Sequence, residues 1–194
     1  MARYLVTGGA GYVGSHTVLA LLDRGDEVVV LDDLSKGHRA AVPAAARLVT
    51  GRCTDPDTLK AAFALGPFDA VLHFAALSLV GESMRDPMRY IGENLTGVTA
   101  VAGAAVQAGC RKFVLSSTAA LFGFPDSVPI DEAQRLEPAS AYGESKLVCE
   151  RALAWADKVH GMRFAALRYF NAAGADPDGR AGEDHDPETH LIPL

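Results

Sequence analysis

Short apolar runs alternate along this chain with longer stretches in which apolar residues recur at helical spacing. The short runs are typical of buried strands, and the longer stretches are typical of amphipathic helices. The pattern predicts strands at residues 4–6, 27–31, 47–49, 70–74, 112–116 and 164–167, and helices at residues 12–24, 56–64, 87–108 and 141–160. Because strands that alternate with helices form a parallel sheet covered on both faces, we expect an α/β fold with a doubly wound sheet.

The first predicted strand runs into a glycine-rich turn, TGGAGYVG at residues 7–14, which a predicted helix follows. Gly8 permits a sharp turn, Gly11 lets the backbone approach a pyrophosphate, and Gly14 lets the helix pack close to the strand. The N-terminus of the helix offers free N–H groups and a partial positive charge to phosphates. A glycine triplet also fits a purely structural turn, but its place between strand and helix favours a Rossmann-type dinucleotide site.

Two carboxylates, Asp32 and Asp33, stand at the end of the second predicted strand. Asp32 falls where a carboxylate accepts hydrogen bonds from the adenosine ribose, and it would repel a 2′-phosphate. We therefore expect NAD rather than NADP as the cofactor, although Lys36 and Arg39 lie close by in the sequence. Asp33 has an alternative interpretation as the cap of the next helix.

Tyr142 and Lys146 are four residues apart in a predicted helix, so they share one helix face. Tyrosine is a poor base at its ordinary pKa of about 10, but a nearby lysine ammonium and the nicotinamide cation beside it would favour the phenolate and lower that pKa. The phenolate could then accept a proton from a substrate hydroxyl. This spacing alone is common by chance, but LSST at residues 115–118 supplies hydroxyls at the end of a predicted strand that could bind the reacting oxygen.

Together these motifs are similar to those of the extended short-chain dehydrogenase/reductase family. The shared features are the glycine turn, Asp32, HFAA at residues 73–76, Asn94, SST at residues 116–118 and the Tyr142/Lys146 pair. Within that family, TGGAGY at residues 7–12, VGES at 80–83, LRYFN at 167–171 and THLIP at 189–193 resemble the nucleotide-sugar 4-epimerases. The motifs occur in the family's order from the first residues to the last.

The resemblance implies an isomerase that inverts C4 of UDP-glucose, UDP-galactose or a close relative through a 4-keto intermediate, with NAD retained. It implies that Tyr142 is the general base, assisted by Lys146, and that Thr118 binds the reacting oxygen. The residues implied to contact NAD are Gly8, Gly11, Tyr12, Val13, Gly14, Asp32, Asp33, Phe74, Ala75, Ala76, Asn94, Ser116, Tyr142, Lys146 and Phe170. The residues implied to bind the UDP-sugar are Thr118, Tyr142, Asn171, His190 and Leu191. A homodimer through the helices at 87–108 and 141–160 is also implied.

The resemblance leaves two alternatives. A nucleotide-sugar 4,6-dehydratase on the same fold uses an Asp-Glu pair after the active-site threonine, where this chain has Ala119 and Ala120. A non-catalytic NAD-binding fragment is the second alternative, because family members continue into a C-terminal lobe that closes over the sugar.

We expect residues 1–174 to form the NAD-binding domain and residues 175–194 to begin the substrate-binding region, with most of that lobe absent. Arg52 also departs from the family, which has an acid there, near the adenine.

The composition of the chain excludes several classes of binding partner. The chain of 194 residues has 18 Lys and Arg against 24 Asp and Glu, and a net charge of −6 does not favour nucleic acid. No apolar run has the length of a membrane span, and the N-terminus lacks the features of a signal peptide, so we expect a cytoplasmic protein without a membrane contact. The three cysteines match no disulfide or metal framework. His185 and His190 lie among acidic residues, but a solvated loop is the more common explanation there, and we expect no metal.

Overall fold

The computed structural model describes residues 1–185 and 188. Within them, six strands form one sheet in the order β3-β2-β1-β4-β5-β6, and every neighbouring pair is parallel. The strands are β1 (Arg3–Thr7), β2 (Glu27–Asp32), β3 (Arg47–Thr50), β4 (Ala70–His73), β5 (Lys112–Ser116) and β6 (Arg163–Leu167). This strand order is that of a Rossmann-type fold, as the sequence predicts.

Five helices connect the strands: α1 (Tyr12–Asp23), α2 (Pro56–Phe63), α3 (Val80–Ser83), α4 (Pro87–Gln107) and α5 (Ala141–His160). Two 3-10 turns, Arg39–Ala41 and Ala119–Phe122, lie between them. The four helices and six strands predicted from the apolar pattern are all confirmed, with ends that differ by at most one residue. The short helix α3 and the two 3-10 turns were not predicted.

Two apolar clusters lie on opposite faces of the sheet. Leu5 and Val29 contribute to the larger cluster, which also contains Leu59 of α2 and Leu153 of α5. The adjacent residues along β1 and β2 contribute to the other cluster, which packs against α1. Because successive side chains of a strand point to opposite faces, this division shows that helices cover both sides of the sheet. The doubly wound arrangement is therefore confirmed.

Polar side chains begin three of the long helices. Asp55, Asp86 and Ser140 each accept a hydrogen bond from a backbone N–H in the first turn of α2, α4 and α5, respectively. Gly161 ends α5 in the left-handed conformation with a φ of 65°, where glycine carries no Cβ penalty. None of the helices in the described part of the chain is long and apolar enough to cross a membrane.

The carboxyl ends of the strands gather the sequence motifs at one edge of the sheet. β1 and β4 are neighbours, and the connections that follow them lead to opposite sides of the sheet order. In open parallel sheets, ligands bind in the crevice at such a switch point. The glycine turn follows β1, Asp32 ends β2, and Ser116 ends β5, so the fold places these residues around one cleft.

Candidate active site

The glycine turn is shaped by two contacts that leave no room for a side chain. A Cβ on Gly8, whose φ is +72°, would lie 2.4 Å from the backbone nitrogen of Ala75, and a Cβ on Gly14 would lie 2.1 Å from the carbonyl oxygen of Gly8. A Cβ on Gly11 would meet only that same carbonyl oxygen, at 3.5 Å, an ordinary contact. Gly8 and Gly14 are therefore needed by the fold itself, whereas protein packing alone does not require glycine at position 11.

The first turn of α1 is open to an anion. Gly11 is its N-cap, and among the described residues no side chain caps this helix. The first backbone bond of the helix runs from Ser15 N to the Gly11 carbonyl oxygen at 2.8 Å. The preceding N–H groups lie where the helix dipole is positive, which is the arrangement that binds phosphates. Tyr12 and Val13, implied to contact NAD, are half-buried in this turn.

Asp32 is a buried carboxylate held by the backbone. Its side chain accepts hydrogen bonds from Ala10 N at 2.9 Å and from Leu34 N at 2.8 Å. Burial raises the pKa of Asp32, and the two N–H donors partly oppose that rise. Each oxygen keeps a lone pair for a further donor, such as a ribose hydroxyl. A glycine turn, an uncapped helix and this carboxylate in one cleft fit the diphosphate and ribose of NAD.

Asp33 lies at the exposed rim of the same cleft, where it accepts hydrogen bonds from the backbone N–H and the hydroxyl of Ser35. The alternative that Asp33 caps the next helix is wrong, because the following 3-10 turn has His38 as its N-cap. On the other side of Gly8, Phe74 N and Ala75 N both donate to the Thr7 carbonyl oxygen. This bonding fixes the segment after β4 beside the glycine turn.

The structure brings the predicted reacting groups together. Tyr142 lies in the first turn of α5 and Lys146 one turn later, while Thr118 begins the 3-10 turn after β5. The Lys146 ammonium lies 5.9 Å from the centre of the Tyr142 ring and donates to the Ser116 carbonyl oxygen at 2.9 Å. The Thr118 side chain lies close enough to the Tyr142 phenol to favour its phenolate form.

The expected fall in the pKa of Tyr142 is not found in this structure. Burial raises the pKa of its phenol, and the nearby Thr118 side chain only partly opposes that rise. The Lys146 ammonium is directed to the Ser116 carbonyl oxygen, and its own desolvation lowers the pKa of Lys146 to about 8. The lysine is therefore a weaker source of positive charge than the sequence argument assumed.

Tyr169 is a site residue that the sequence argument missed. Its hydroxyl is hydrogen-bonded to the Ser116 hydroxyl, and its carbonyl oxygen accepts from Ala119 N at 2.9 Å. Burial raises the pKa of Tyr169. The LRYFN segment contains this residue, and the signal that could have found it is its position directly after β6, beside the end of β5.

Other predicted site residues have different surroundings. The amide of Asn94 is bonded within the protein, to the backbone of Leu77 and to the Ser145 hydroxyl. Phe170 is 68% exposed and Asn171 is also exposed. His190 and Leu191 lie outside the described residues, so their assignment to the UDP-sugar stays a prediction.

Acidic residues near the end of the described chain form a small cluster. Ligand atoms of Glu183, His185 and Glu188 lie within 4.8 Å of one another. His185 is already paired with Glu183, and acidic groups of this kind are common in proteins without a bound ion. The cluster therefore does not alter the expectation of a site without a metal.

Comparison with known proteins identifies the family. The model of the NAD dependent epimerase/dehydratase family matches residues 4–194. The UDP-glucose 4-epimerase of Lacticaseibacillus casei is 51% identical over 189 residues, which cover 97% of this chain and 57% of that protein. The structure of UDP-glucose 4-epimerase from Brucella ovis in complex with NAD has a TM-score of 0.96 and 42% identity, over 100% of this chain and 59% of that one.

A third relative was solved with two ligands. UDP-glucose 4-epimerase from Bifidobacterium longum, in complex with NAD+ and UDP, has a TM-score of 0.89 and 30% identity, over 94% of this chain and 57% of that one. This chain spans between 57% and 59% of the length of the three proteins. The family match over residues 4–194, together with the glycine turn and the Tyr142/Lys146 pair at one cleft, shows that the chain belongs to the NAD-dependent epimerase/dehydratase family.

Proposed function

We propose that this chain carries the NAD site and the proton-transfer residues of a UDP-sugar 4-epimerase. The observation that carries the proposal is the convergence of Thr118, Tyr142 and Lys146 at the cleft that begins with the glycine turn. The relatives named UDP-glucose 4-epimerase and the solved complex with NAD+ and UDP support it. We propose UDP-glucose and UDP-galactose as the substrates.

Tyr142 performs the proton transfer in this proposal. Its phenolate oxygen accepts the proton of the C4 hydroxyl as the 4-keto intermediate forms, and the resulting phenol returns that proton to the sugar oxygen when C4 is reduced again. NAD, when bound, supplies the hydride acceptor at C4 and the hydride donor for the opposite face. The Thr118 hydroxyl, whose proximity lowers the pKa of the phenol, stabilises the phenolate and holds the sugar oxygen beside it.

Lys146 provides positive charge at the same place. Its pKa of about 8 leaves the ammonium mostly protonated at neutral pH, even though only 2% of the residue is exposed. Because the ammonium is directed to the Ser116 carbonyl oxygen, its charge alone does not offset the burial of the phenol. The cationic nicotinamide ring would add a second positive charge, so the pKa of Tyr142 would fall on cofactor binding.

A 4,6-dehydratase is less well supported by the residues near the phenol. The elimination of water needs an acid and a base in addition to the tyrosine, and the two residues after Thr118 are alanines. Their 3-10 turn is buried against α5 and offers methyl groups only. Epimerisation needs no group beyond those that the site holds.

The test is an interconversion assay on the purified chain with UDP-glucose and UDP-galactose. Tyr142→Phe should lower turnover at least a hundredfold while bound NAD is retained, because the phenol oxygen is the proton acceptor. Tyr4→Phe is the matched control, since its hydroxyl bonds only Arg24 at the exposed edge of the fold. Normal turnover by Tyr142→Phe would contradict the mechanism, and a chain that binds NAD without any turnover would be the non-catalytic alternative.

We also propose that two copies pair through the outer faces of α4 and α5. A groove between these helices is lined by residues that include Val98, Ala102 and Val106, and exposed Trp155 and Val159 stand at its rim. Apolar side chains of this size on one face are typical of interfaces. Val159→Lys should shift the sedimentation coefficient to that of a monomer, while Val128→Lys, in a separate exposed loop, should leave it unchanged.

A further inference from the structure

Both backbone polar groups of Tyr142 are held by serine hydroxyls. Tyr142 N donates to the Ser83 oxygen at 3.1 Å, and the Ser145 hydroxyl donates to the Tyr142 carbonyl oxygen at 2.7 Å. Ser145 is on the same helix, whereas Ser83 is 59 residues earlier, in α3. The position of the phenol along α5 is therefore tied to a separate element of the fold.

The N-terminal cap of α5 does not bond the N–H group of Tyr142, which donates to Ser83 instead. The N-cap Ser140 accepts from Gly143 N with its side chain and from Glu144 N with its backbone carbonyl. The N–H of Tyr142, one of the first-turn groups without a helical partner, is bonded from outside the helix. Ser83 is fully buried and its hydroxyl proton is committed to the Val80 carbonyl oxygen at 2.7 Å. A lone pair of its oxygen is thus fixed toward Tyr142.

The element that carries Ser83 is itself held in place. A helix of four residues does not form without support from its surroundings. Glu82, the neighbour of Ser83, accepts from the Tyr90 hydroxyl at 2.5 Å and from Arg89 at 3.1 Å. Tyr90 is fully buried in α4. The VGES segment is therefore anchored to α4 on one side and to the start of α5 on the other.

A second connection runs through Asn94. Its amide nitrogen donates to the Ser145 hydroxyl oxygen at 2.9 Å and to the Leu77 carbonyl oxygen at 3.0 Å, and its amide oxygen accepts from Leu77 N at 2.8 Å. The segment that ends in Ser83 is thus connected to α5 directly through Ser83, and indirectly through Asn94 of α4, which bonds both Leu77 and Ser145. The two connections constrain the first turn of α5.

We propose that Ser83 is a positioning residue for Tyr142, and that its hydroxyl holds the phenol in register with the cleft. The significance of this role for turnover rests on the proposed function, whereas the hydrogen bond itself does not. Without the Ser83 oxygen, a buried N–H at the base of the reacting side chain has no partner, and the first turn of α5 relaxes. Displacement of a reacting group by about 1 Å can reduce a rate by roughly a hundredfold.

The first experiment measures amide hydrogen exchange by NMR in the whole chain. In Ser83→Ala the exchange of the Tyr142 amide should accelerate by roughly fivefold or more, because a hydrogen bond that contributes about 1 kcal/mol is lost. Ser83→Thr keeps a hydroxyl and should restore slow exchange. Ser127→Ala, which removes a hydroxyl from an exposed loop, should have no effect. If Ser83→Ala does not fold, Ser83→Cys provides the same test with a weaker acceptor of similar size.

The second experiment measures turnover in the same variants. Ser83→Ala should lower kcat by ten- to a hundredfold with little change in KM, because substrate binding does not use this bond. Unchanged exchange at Tyr142 in Ser83→Ala and Ser83→Cys would overturn the positioning role. Faster exchange with unchanged kcat would overturn its importance for the reaction. If the unmodified chain has no turnover, the proposed function fails while the exchange result still decides whether Ser83 holds Tyr142.

Discussion

Glu150 and Arg168 form a two-point ion pair next to the predicted reacting groups. Arg168 Nε donates to Glu150 Oε1 at 3.0 Å, and Arg168 Nη2 donates to Oε2 at 2.6 Å. The Ser117 hydroxyl donates to the same Oε1 at 2.6 Å. Glu150 lies on α5 and Arg168 follows β6, so the pair joins the helix of Tyr142 to the segment after β6, and the Ser117 bond joins the same carboxylate to the residue before Thr118. The side chain of Glu150 is only 8% exposed.

Removal of one partner of this pair should strongly destabilise the fold. In Glu150→Gln, Arg168 loses its counter-charge in a mostly buried place, which we expect to cost about 3 kcal/mol or more in the free energy of unfolding. Urea denaturation measures the change. Glu137→Gln is the control, because its pair with Arg135 is well exposed and should contribute under about 1 kcal/mol. Equal losses in the two variants would show that burial does not determine the strength of the pair.

The glycine turn should separate stability from cofactor binding. Gly14→Ala places a Cβ 2.1 Å from a carbonyl oxygen, so the melting temperature should fall clearly. Gly11→Ala makes only an ordinary contact at 3.5 Å, so its melting temperature should stay close to that of the parent. Titration with NAD should nevertheless show weaker binding by Gly11→Ala, since the backbone can no longer approach the diphosphate. Unimpaired NAD binding by this variant would exclude the turn as the diphosphate site.

Lys146 should make the stability of the fold depend on alkaline pH. Its pKa is about 8 in the folded chain against an ordinary 10.5, because burial disfavours the ammonium. Between these values the unfolded chain binds a proton that the folded chain does not, so stability should rise with pH through this window. Relative to Lys146→Met, the parent should gain about 2 kcal/mol between pH 7.5 and pH 10 in urea denaturation. Lys60→Met, in exposed α2, is the control and should leave the parent's pH dependence unchanged.

His73 should make the stability of the fold depend on acidic pH. Burial lowers its pKa to about 3 from 6.5, and its Nδ1 shares a hydrogen bond of 2.7 Å with the Thr7 hydroxyl. As pH falls below 6.5, His73 is protonated in the unfolded chain but stays neutral in the folded chain. The free energy of unfolding therefore decreases progressively toward pH 3. The loss between pH 7 and pH 5 should be about 2 kcal/mol and should disappear in His73→Gln. A parent and a His73→Gln variant with the same acid sensitivity would contradict this origin; exposed His160→Gln is the control.

The sequence predicted the sheet and the cleft well because both depend on local patterns. Alternating apolar runs determine the strands, and the glycine turn has a spacing that the backbone itself requires. The role of Ser83 could not be predicted, because a helix of four residues is too short to show a periodic pattern. The position of this helix depends on contacts that are distant in sequence, such as the bond between Ser83 and Tyr142. The raised pKa of Tyr142 in the protein without NAD could not be predicted, since spacing along a helix says nothing about how deeply a phenol is buried.

The two backbone bonds of Asp32 limit how this fold can be adapted to another dinucleotide. The carboxylate that would meet the ribose also accepts the N–H of Ala10 inside the glycine turn, and the N–H of Leu34 beyond it. A redesign that admits a 2′-phosphate by replacing Asp32 with a small neutral residue would leave both donors without an acceptor and loosen the turn to which we assign the diphosphate. Cofactor preference and loop geometry are thus coupled in one side chain, and a successful exchange would need a second substitution that supplies a new acceptor for Ala10.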